Sequence, residues 1–246
     1  MWTNLQYEVL RRISPRAPNS CSGSAYQNKS KLRILLGDAF LSKIAGKTVI
    51  DFGCGEGAEA LEMVHLGAKR VIGIDNREQV LEIARSKAIE AGVQDNSVFA
   101  SATGERADII VSIDSFEHFA DPAAILHGMS TLLKPRGEVM ISFGPTWYHP
   151  LGGHLFSVFP WAHILFSEEA LIRWRSTFKT DGATRFNEVA GGLNQMTIGR
   201  FEKLVEKSAF NILSLELIPI AKLRPFHGRL TREFTTAIVR CHLALS

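Results

Sequence analysis

The sequence is poor in cysteine, with 3 in 246 residues (Cys21, Cys54 and Cys241) and no CxxC pair among them. That scatter excludes a disulfide framework and a thiolate zinc cluster. No uninterrupted apolar run reaches the ~18 residues that a membrane-spanning helix requires. The opening stretch, MWTNLQYEVLRRISPR, holds no apolar segment of signal-peptide length, so a reducing cytoplasm is the expected location. Neither sign of charge dominates. Lys and Arg number 28 against 25 Asp and Glu, a formal net charge of +3. That is a weak lean toward anionic partners and argues against a nucleic-acid footprint. Internal repeats and low-complexity tracts are absent too. With 46% apolar and 22% charged residues, the chain suits one sizeable α/β domain with a buried core.

What is present is a regular alternation. Residues 1–28 read as a polar, poorly patterned lead-in, and KLRILLGDAFLSKI (31–44) as short helices broken at Gly37. TVIDF (48–52) is a β-branched apolar run, followed by a helical pattern that stops at Gly67. VIGID (71–75), SVFA (97–100), DIIVSI (108–113) and EVMISF (138–143) read as further buried strands. Asn76 is the expected cap of one helix and Asp121-Pro122 the start of another, which breaks at KPRG. Such spacing predicts a doubly wound, mostly parallel sheet covered on both faces. The alternation halts from 144 to 196 and resumes with a helix over 197–210 and strands over 212–218 and 235–243. The organisation expected is a lead-in with cap helices (1–46), then one domain (47–246) carrying an insertion (144–196).

The sharpest chemical signal is VIDFGCGEG, where a strand delivers Asp51 and then Gly53, Gly55 and Gly57 turn the chain into a helix. Glycine permits the sharp bend and lets a ligand approach the backbone. Asp75, at the end of the next strand, is placed to accept hydrogen bonds from ribose hydroxyls. A dinucleotide fingerprint would read GxGxxG; here the spacing is GxGxG, with Glu56 between the last two glycines and Asp51 just before the loop. These carboxylates repel a pyrophosphate and suit a ligand that carries an ammonium and a sulfonium. The spacing favours S-adenosylmethionine over NAD. A strand-to-helix turn without a ligand is the competing structural reading.

VIDFGCGEG, VIGIDNREQVLEIAR, ADIIVSIDSFEHFADPAAIL and LLKPRGEVMIS together resemble the successive motifs of class I S-adenosylmethionine-dependent methyltransferases, in order across residues 47 to 143. The resemblance implies a seven-stranded Rossmann-like sheet whose last strand is antiparallel, with a lid insertion after strand 5. It also implies that Asp51 and Gly53–Gly57, with Cys54 and Glu56, form the methionine-moiety site. On the same ground Asp75 holds the ribose and Asn76 lies near the adenine. Ser101 and Ala102 stand where the family often has an acid against the adenine amine, and Ile113 and Asp114 border the sulfonium. Cys54 sits where the loop usually faces packing. Neither a cysteine after proline or threonine nor an NPPY-like sequence is present, which argues against cytosine-5 and amino-methylating members. Glu117-His118 resembles the "EH" of small-molecule members; the plainer reading is a hydrogen-bonded pair near the cofactor.

GPTWYHPLGGHLFSVFPWAHILF follows strand EVMISF and so emerges at the rim where such sheets bind ligands. Trp147, Tyr148, Phe156 and Trp161 are the expected substrate wall. GGH (152–154) and FSEEALIRW (166–174) resemble the same connection in ubiquinone-pathway O-methyltransferases. Neutral imidazole suits removal of a hydroxyl proton near pH 7, which makes His154 the first candidate base, then His163, then His149. Several alternatives stay open. The histidines also fit simple loop caps, and their spacing fits no metal pattern. The aromatic run also fits a dimer interface or a contact with a membrane surface. Arg173, Arg175, Lys179 and Arg185 fit either an anionic acceptor or a solvated face.

The leading expectation is therefore a methyltransferase using S-adenosylmethionine on a small molecule, apolar or anionic, with a hydroxyl oxygen as acceptor. An RNA methyltransferase using the basic segments 173–185 and 222–232 is the first alternative. A non-catalytic interaction protein of the same fold is the second. The oligomeric state is left open.

Overall fold

The structure, a computed structural model, describes residues 2–13, 30–153, 156, 160–179, 182–188 and 192–246. Cys21, His154 and Phe159 lie outside them.

Seven strands form one sheet in the order β3-β2-β1-β4-β5-β7-β6. They are β1 (Thr48–Phe52), β2 (Arg70–Ile74), β3 (Ser97–Ala100), β4 (Ala107–Ile113), β5 (Leu133–Phe143), β6 (Phe210–Pro219) and β7 (Thr236–Leu245). The pairings β1–β2, β1–β4, β2–β3 and β4–β5 are parallel, and β7 runs antiparallel to both β5 and β6. Successive side chains on a strand point to opposite faces, so apolar neighbours on a central strand feed two cores. Val49, Val71 and Val111 pack on one face, against α2 (Lys31–Leu36), α3 (Asp38–Leu41), α4 (Ala58–His65) and α5 (Glu78–Glu90). Ile50, Ile72 and Ile110 pack on the other, with α6 (Pro122–Leu132) and α9 (Ile198–Glu206). No helix among the described residues is long and apolar enough to cross a membrane.

The local chemistry explains most helix boundaries. Asp121 accepts hydrogen bonds from the amides of Ala123 and Ala124, with Pro122 in the first turn of α6. Thr197 caps α9 through the amide of Arg200. Two expectations require correction. α5 is capped at Arg77 rather than Asn76, because the carboxylate of Asp75 already takes the Arg77 amide at 3.0 Å. The KPRG segment does not break the chain before the strand. β5 begins at Leu133 and accommodates it through a register shift against β4, with Arg136 at φ 63°.

A third correction concerns the lead-in. Residues Trp2–Ile13 are a helix, α1, whose Leu10 is fully buried. α1 packs on the insertion, not on the sheet. Leu10 joins Phe156, Ala162, Ala170, Leu171, Trp174, Phe186 and Leu193 in a core separate from the two that flank the sheet. The insertion contributes α7 (Ala162–Leu165) and α8 (Glu168–Arg175) to this unit. Ser167 caps α8 and donates its hydroxyl to Gln6 of α1 at 2.7 Å. Tertiary docking, invisible to local patterning, makes α1 a helix with a buried face.

Deleting the buried Leu10 side chain leaves a cavity in this small core, where such truncations cost about 2–4 kcal/mol. Leu10→Ala is expected to speed hydrogen exchange in α8 while leaving the amides of β1 and β4 protected. Equal protection in both variants counts against the docking described.

Candidate functional site

β1 ends at Asp51 and Phe52, and five residues then turn the chain into α4. Gly53, Gly55 and Gly57 all adopt positive φ (86°, 52° and 77°). A Cβ at Gly53 would stand 2.6 Å from Ser115, and one at Gly57 would stand 2.8 Å from Phe99 and 2.9 Å from Ala84. Both conformation and space exclude a side chain there. The amides of Gly53 and Cys54 donate to the carbonyl of Ile74 at 2.8 and 3.0 Å, tying the turn to the end of β2. The Cys54 sulfur packs beneath the turn against Gly73, and burial pushes its thiol far above the usual range. It is a packing group, not a nucleophile. Glu56 is exposed and pairs with Lys87 at 2.6 Å.

Around this turn the sheet gathers acids. Asp51 is 2% exposed, and its Oδ2 has no hydrogen-bond partner. Burial, reinforced by Glu59, raises its carboxyl to about 8. Asp75 is the opposite case. Burial would raise it, but hydrogen bonds from Arg77 and from the Gly55 amide hold it below the usual carboxylate range. Its Oδ1 accepts from the Arg77 amide and Nε, and its Oδ2 from Arg77 Nη2 and Gly55, each at 3.0 Å. Asp114, at φ 47°, pairs with Lys31 at 3.2 Å, and Lys31 also reaches Glu59 at 3.4 Å. Glu117 is 3% exposed; burial and the nearby Asp114 raise it to about 8. Its Oε2 has no hydrogen-bond partner, while the Gly144 amide donates to Oε1 at 3.3 Å. Ile113 is buried beside Asp114, whereas Asn76, Ser101 and Ala102 are exposed past the ends of β2 and β3.

The insertion distributes its candidates differently from the sequence expectation. His149 Nδ1 accepts the Leu151 amide at 2.9 Å, and burial lowers its pKa to about 4. His163 bonds through Nε2 to the Trp147 carbonyl, meets the Trp147 ring edge-to-face at 4.6 Å between centroids, and is also lowered by burial. Both rings are held by the insertion's own backbone. Phe156 is fully buried against Phe186, at 4.5 Å between ring centroids, so it is core of this unit rather than an open wall. Trp147 is half-buried between His163 and Phe186. Tyr148 and Trp161 are 37% and 36% exposed at the rim, joined by a 3.0 Å bond from Trp161 Nε1 to the Tyr148 carbonyl. Arg175 is buried with its guanidinium 5.9 Å from the Phe156 ring, so it is not part of a solvated face, whereas Arg173 is exposed and sits over Tyr7. Among the described residues no cluster of His, Cys, Asp or Glu is arranged to hold a metal ion.

Two participants escaped the sequence reading, and a third, His118, was read there only as one of a hydrogen-bonded pair. Lys31 reaches the acids from outside the strand-turn-helix pattern, and Arg77 covers Asp75 from the next turn of chain. His118 donates from Nδ1 to the Gly192 carbonyl at 2.7 Å, since a carbonyl can only accept. Its charge acts on Asp114. The "EH" pair was the one signal that pointed to it.

The model of the family described as "Methyltransferase domain" matches residues 24–215. The chain belongs to that methyltransferase-domain family, and its sheet and glycine turn are those of the class I S-adenosylmethionine-dependent enzymes. A ubiquinone biosynthesis O-methyltransferase from Stutzerimonas stutzeri (strain A1501) is 36% identical over 105 residues, 40% of this chain and 45% of that protein. The match thus spans about half the length of such curated relatives. A crystal structure of an S-adenosylmethionine-dependent methyltransferase from Mesorhizobium loti superposes with TM-score 0.53 at 18% identity, covering 81% of this chain and 91% of that one. Magnesium protoporphyrin IX methyltransferase from Synechocystis PCC 6803, solved with S-adenosylmethionine bound, superposes with TM-score 0.51 at 17% identity, covering 88% and 77%. The residues present fit that cofactor. Gly53 and Gly57 admit no side chain, Gly55 keeps open space beside its backbone, and Asp51 stands by the turn as a buried carboxylate whose Oδ2 has no hydrogen-bond partner.

Ionised Asp51 is favoured by a neighbouring ammonium, so its carboxyl, at about 8 in the free protein, should drop when S-adenosylhomocysteine binds. Titration calorimetry at pH 6.5 in buffers of different ionisation enthalpy is expected to show proton release, and affinity should rise toward pH 8. Asp51→Asn should abolish the release. Proton uptake in the wild type would refute the assignment.

Proposed function

We propose that this chain transfers the methyl group of S-adenosylmethionine to a hydroxyl oxygen of a small-molecule acceptor. The observation that carries this reading is the cluster of acids at the carboxyl ends of β1, β2 and β4 beside the glycine turn, at the end of the sheet where the insertion leaves β5. The cofactor supplies an electrophilic methyl group on a sulfonium. The chain's own residues bind, orient and move a proton. Asp75 accepts from the ribose, Asn76, Ser101 and Ala102 border the adenine, and Gly53 to Gly57 present backbone to the methionine portion with Asp51 facing its ammonium. Lys31, held above its usual range mainly by Asp114 and Glu59 against the effect of burial, faces its carboxylate. Ile113 and Asp114 border the reacting centre. In this reading residues 47–246 are the catalytic domain with 144–196 as its lid, and 1–46 are a cap.

For the proton, His118 is the candidate base that the described residues place nearest the acids. Its Nδ1 bonds to the Gly192 carbonyl, and its charge acts on Asp114 at the end of β4. An imidazole at about 4, as His149 has, accepts few protons at neutral pH. His154, the first candidate from sequence, lies outside the described residues. The names of relatives such as the Stutzerimonas protein support oxygen as the acceptor atom. Exposed Tyr148, Phe226, Leu230 and Phe234 near the end of β5 support an acceptor, or a surface, with apolar character.

Methyl transfer from labelled S-adenosylmethionine to a panel of catechols is the direct test. His118→Ala is expected to lower kcat by about 100-fold or more, the usual contribution of a general base, with S-adenosylhomocysteine binding unchanged. Full activity in that variant moves the role to another group. Failure of the wild-type protein to bind S-adenosylhomocysteine removes the reading as a whole.

A further inference from the structure

A cavity of about 320 Å³ lies between the 3₁₀ turn Phe116–His118, the lid and the start of α9. That volume sits at the lower end of the ~300–1,000 Å³ typical of small-molecule sites. We infer that this cavity binds an anionic group, a carboxylate or a phosphate, carried by the methyl acceptor. The inference rests on the methyltransferase reading for the identity of the ligand as an acceptor. The preference for an anion rests on the lining alone.

The lining is cationic on balance. Arg185 comes from the lid and Arg200 from the first turn of α9, so two different elements converge on one space. Arg200 gives one Nη1 donor to the Asn194 carbonyl, and the fork geometry of a guanidinium leaves further donors for a planar or tetrahedral anion. One acid, Glu168, stands on the wall, and its Oε1 accepts the Phe186 amide. Glu188, beside Arg185, accepts from the Thr184 amide and hydroxyl at 2.9 and 2.7 Å. Both acids are therefore engaged with backbone or hydroxyl donors near the arginines. Gln195, also on the wall, holds φ 57°. A non-glycine residue in that region is strained and is found preferentially where a site is being shaped.

The position of the cavity ties it to the chemistry. His118 lines it, and its charge acts on Asp114 in the cofactor crevice. Phe119 lines it as well, and the same ring reaches the glycine turn, where a Cβ on Gly53 would stand 3.3 Å from Phe119 Cζ. One aromatic ring thus separates the cavity from the cofactor turn. An acceptor anchored by its anion between Arg185 and Arg200 places the rest of its skeleton beside His118, the group proposed to take the proton. Orientation of this kind turns binding energy into rate.

The test uses the full chain, with and without saturating S-adenosylhomocysteine, and three probes: benzoate, phenyl phosphate and the neutral benzamide. Benzoate or phenyl phosphate is expected to bind at least about tenfold more tightly than benzamide, as charge-assisted pairing to two arginines requires. The stronger of the two identifies the anion. In the variant R185Q/R200Q that preference should fall below about twofold, and in wild type it should weaken with added salt. Arg185 and Arg200 are both exposed, so the variant keeps its fold, and unchanged S-adenosylhomocysteine affinity verifies this. Equal binding of benzamide, a preference that survives in R185Q/R200Q, or no binding of any probe overturns the inference. A protein that shows the anion preference but never binds S-adenosylhomocysteine keeps the cavity assignment and loses the methyltransferase reading.

Discussion

Parallel strands that end together force their terminal side chains into one small volume, and here that volume fills with acids. Asp51, Asp75 and Asp114 come from the ends of β1, β2 and β4, and Glu59 and Glu117 stand close by. So much like charge is tolerated because it is answered in two ways. Lys31 and Arg77 bring cations to Asp114 and Asp75, while Asp51 and Glu117, deeper and without such partners, shift toward the neutral form. The placement of α2 follows from this, since it must seat Leu32, Leu35 and Leu36 on the sheet while its first residue reaches over the strand ends. The cations that answer these acids thus come from α2 and from the turn after β2, outside the strands that carry the charge.

The insertion after β5 packs differently. It builds a core of its own, which Leu10 of α1 completes. Its aromatic residues divide accordingly. Phe156 and Phe186 hold the unit together, whereas Tyr148 and Trp161 remain at the edge. His149 and His163 serve the same unit, bonding to the backbone of Leu151 and Trp147.

This division marks how far the sequence could be read. Strand periodicity, helix caps such as Asp121 and Thr197, and the positive-φ glycines are local signals, and the doubly wound sheet followed from them, its seven strands and antiparallel last strand from the family resemblance. Lys31, α1 and the His118–Gly192 contact depend on residues far apart in the chain, which no local pattern carries. The same holds for the lid. A run rich in aromatic residues and histidine reads alike whether it lines a pocket or packs on itself, and only the arrival of Leu10 and Phe186 decides between the two. Arg185 fitted an anionic acceptor or a solvated face equally in sequence, and nothing local singled out Arg200, which lies beside it only in the folded chain.

The Arg77–Asp75 pair has one further consequence. In the structure both oxygens of Asp75 are occupied, by the guanidinium and amide of Arg77 and by the Gly55 amide, while the Arg77 side chain itself is 57% exposed. On the reading proposed above, a ribose diol competes for this carboxylate rather than simply meeting it. A guanidinium so exposed is free to turn toward water when a diol arrives and to return when it leaves. Arg77 is then a place-holder, which keeps a buried carboxylate from standing bare between one ligand and the next.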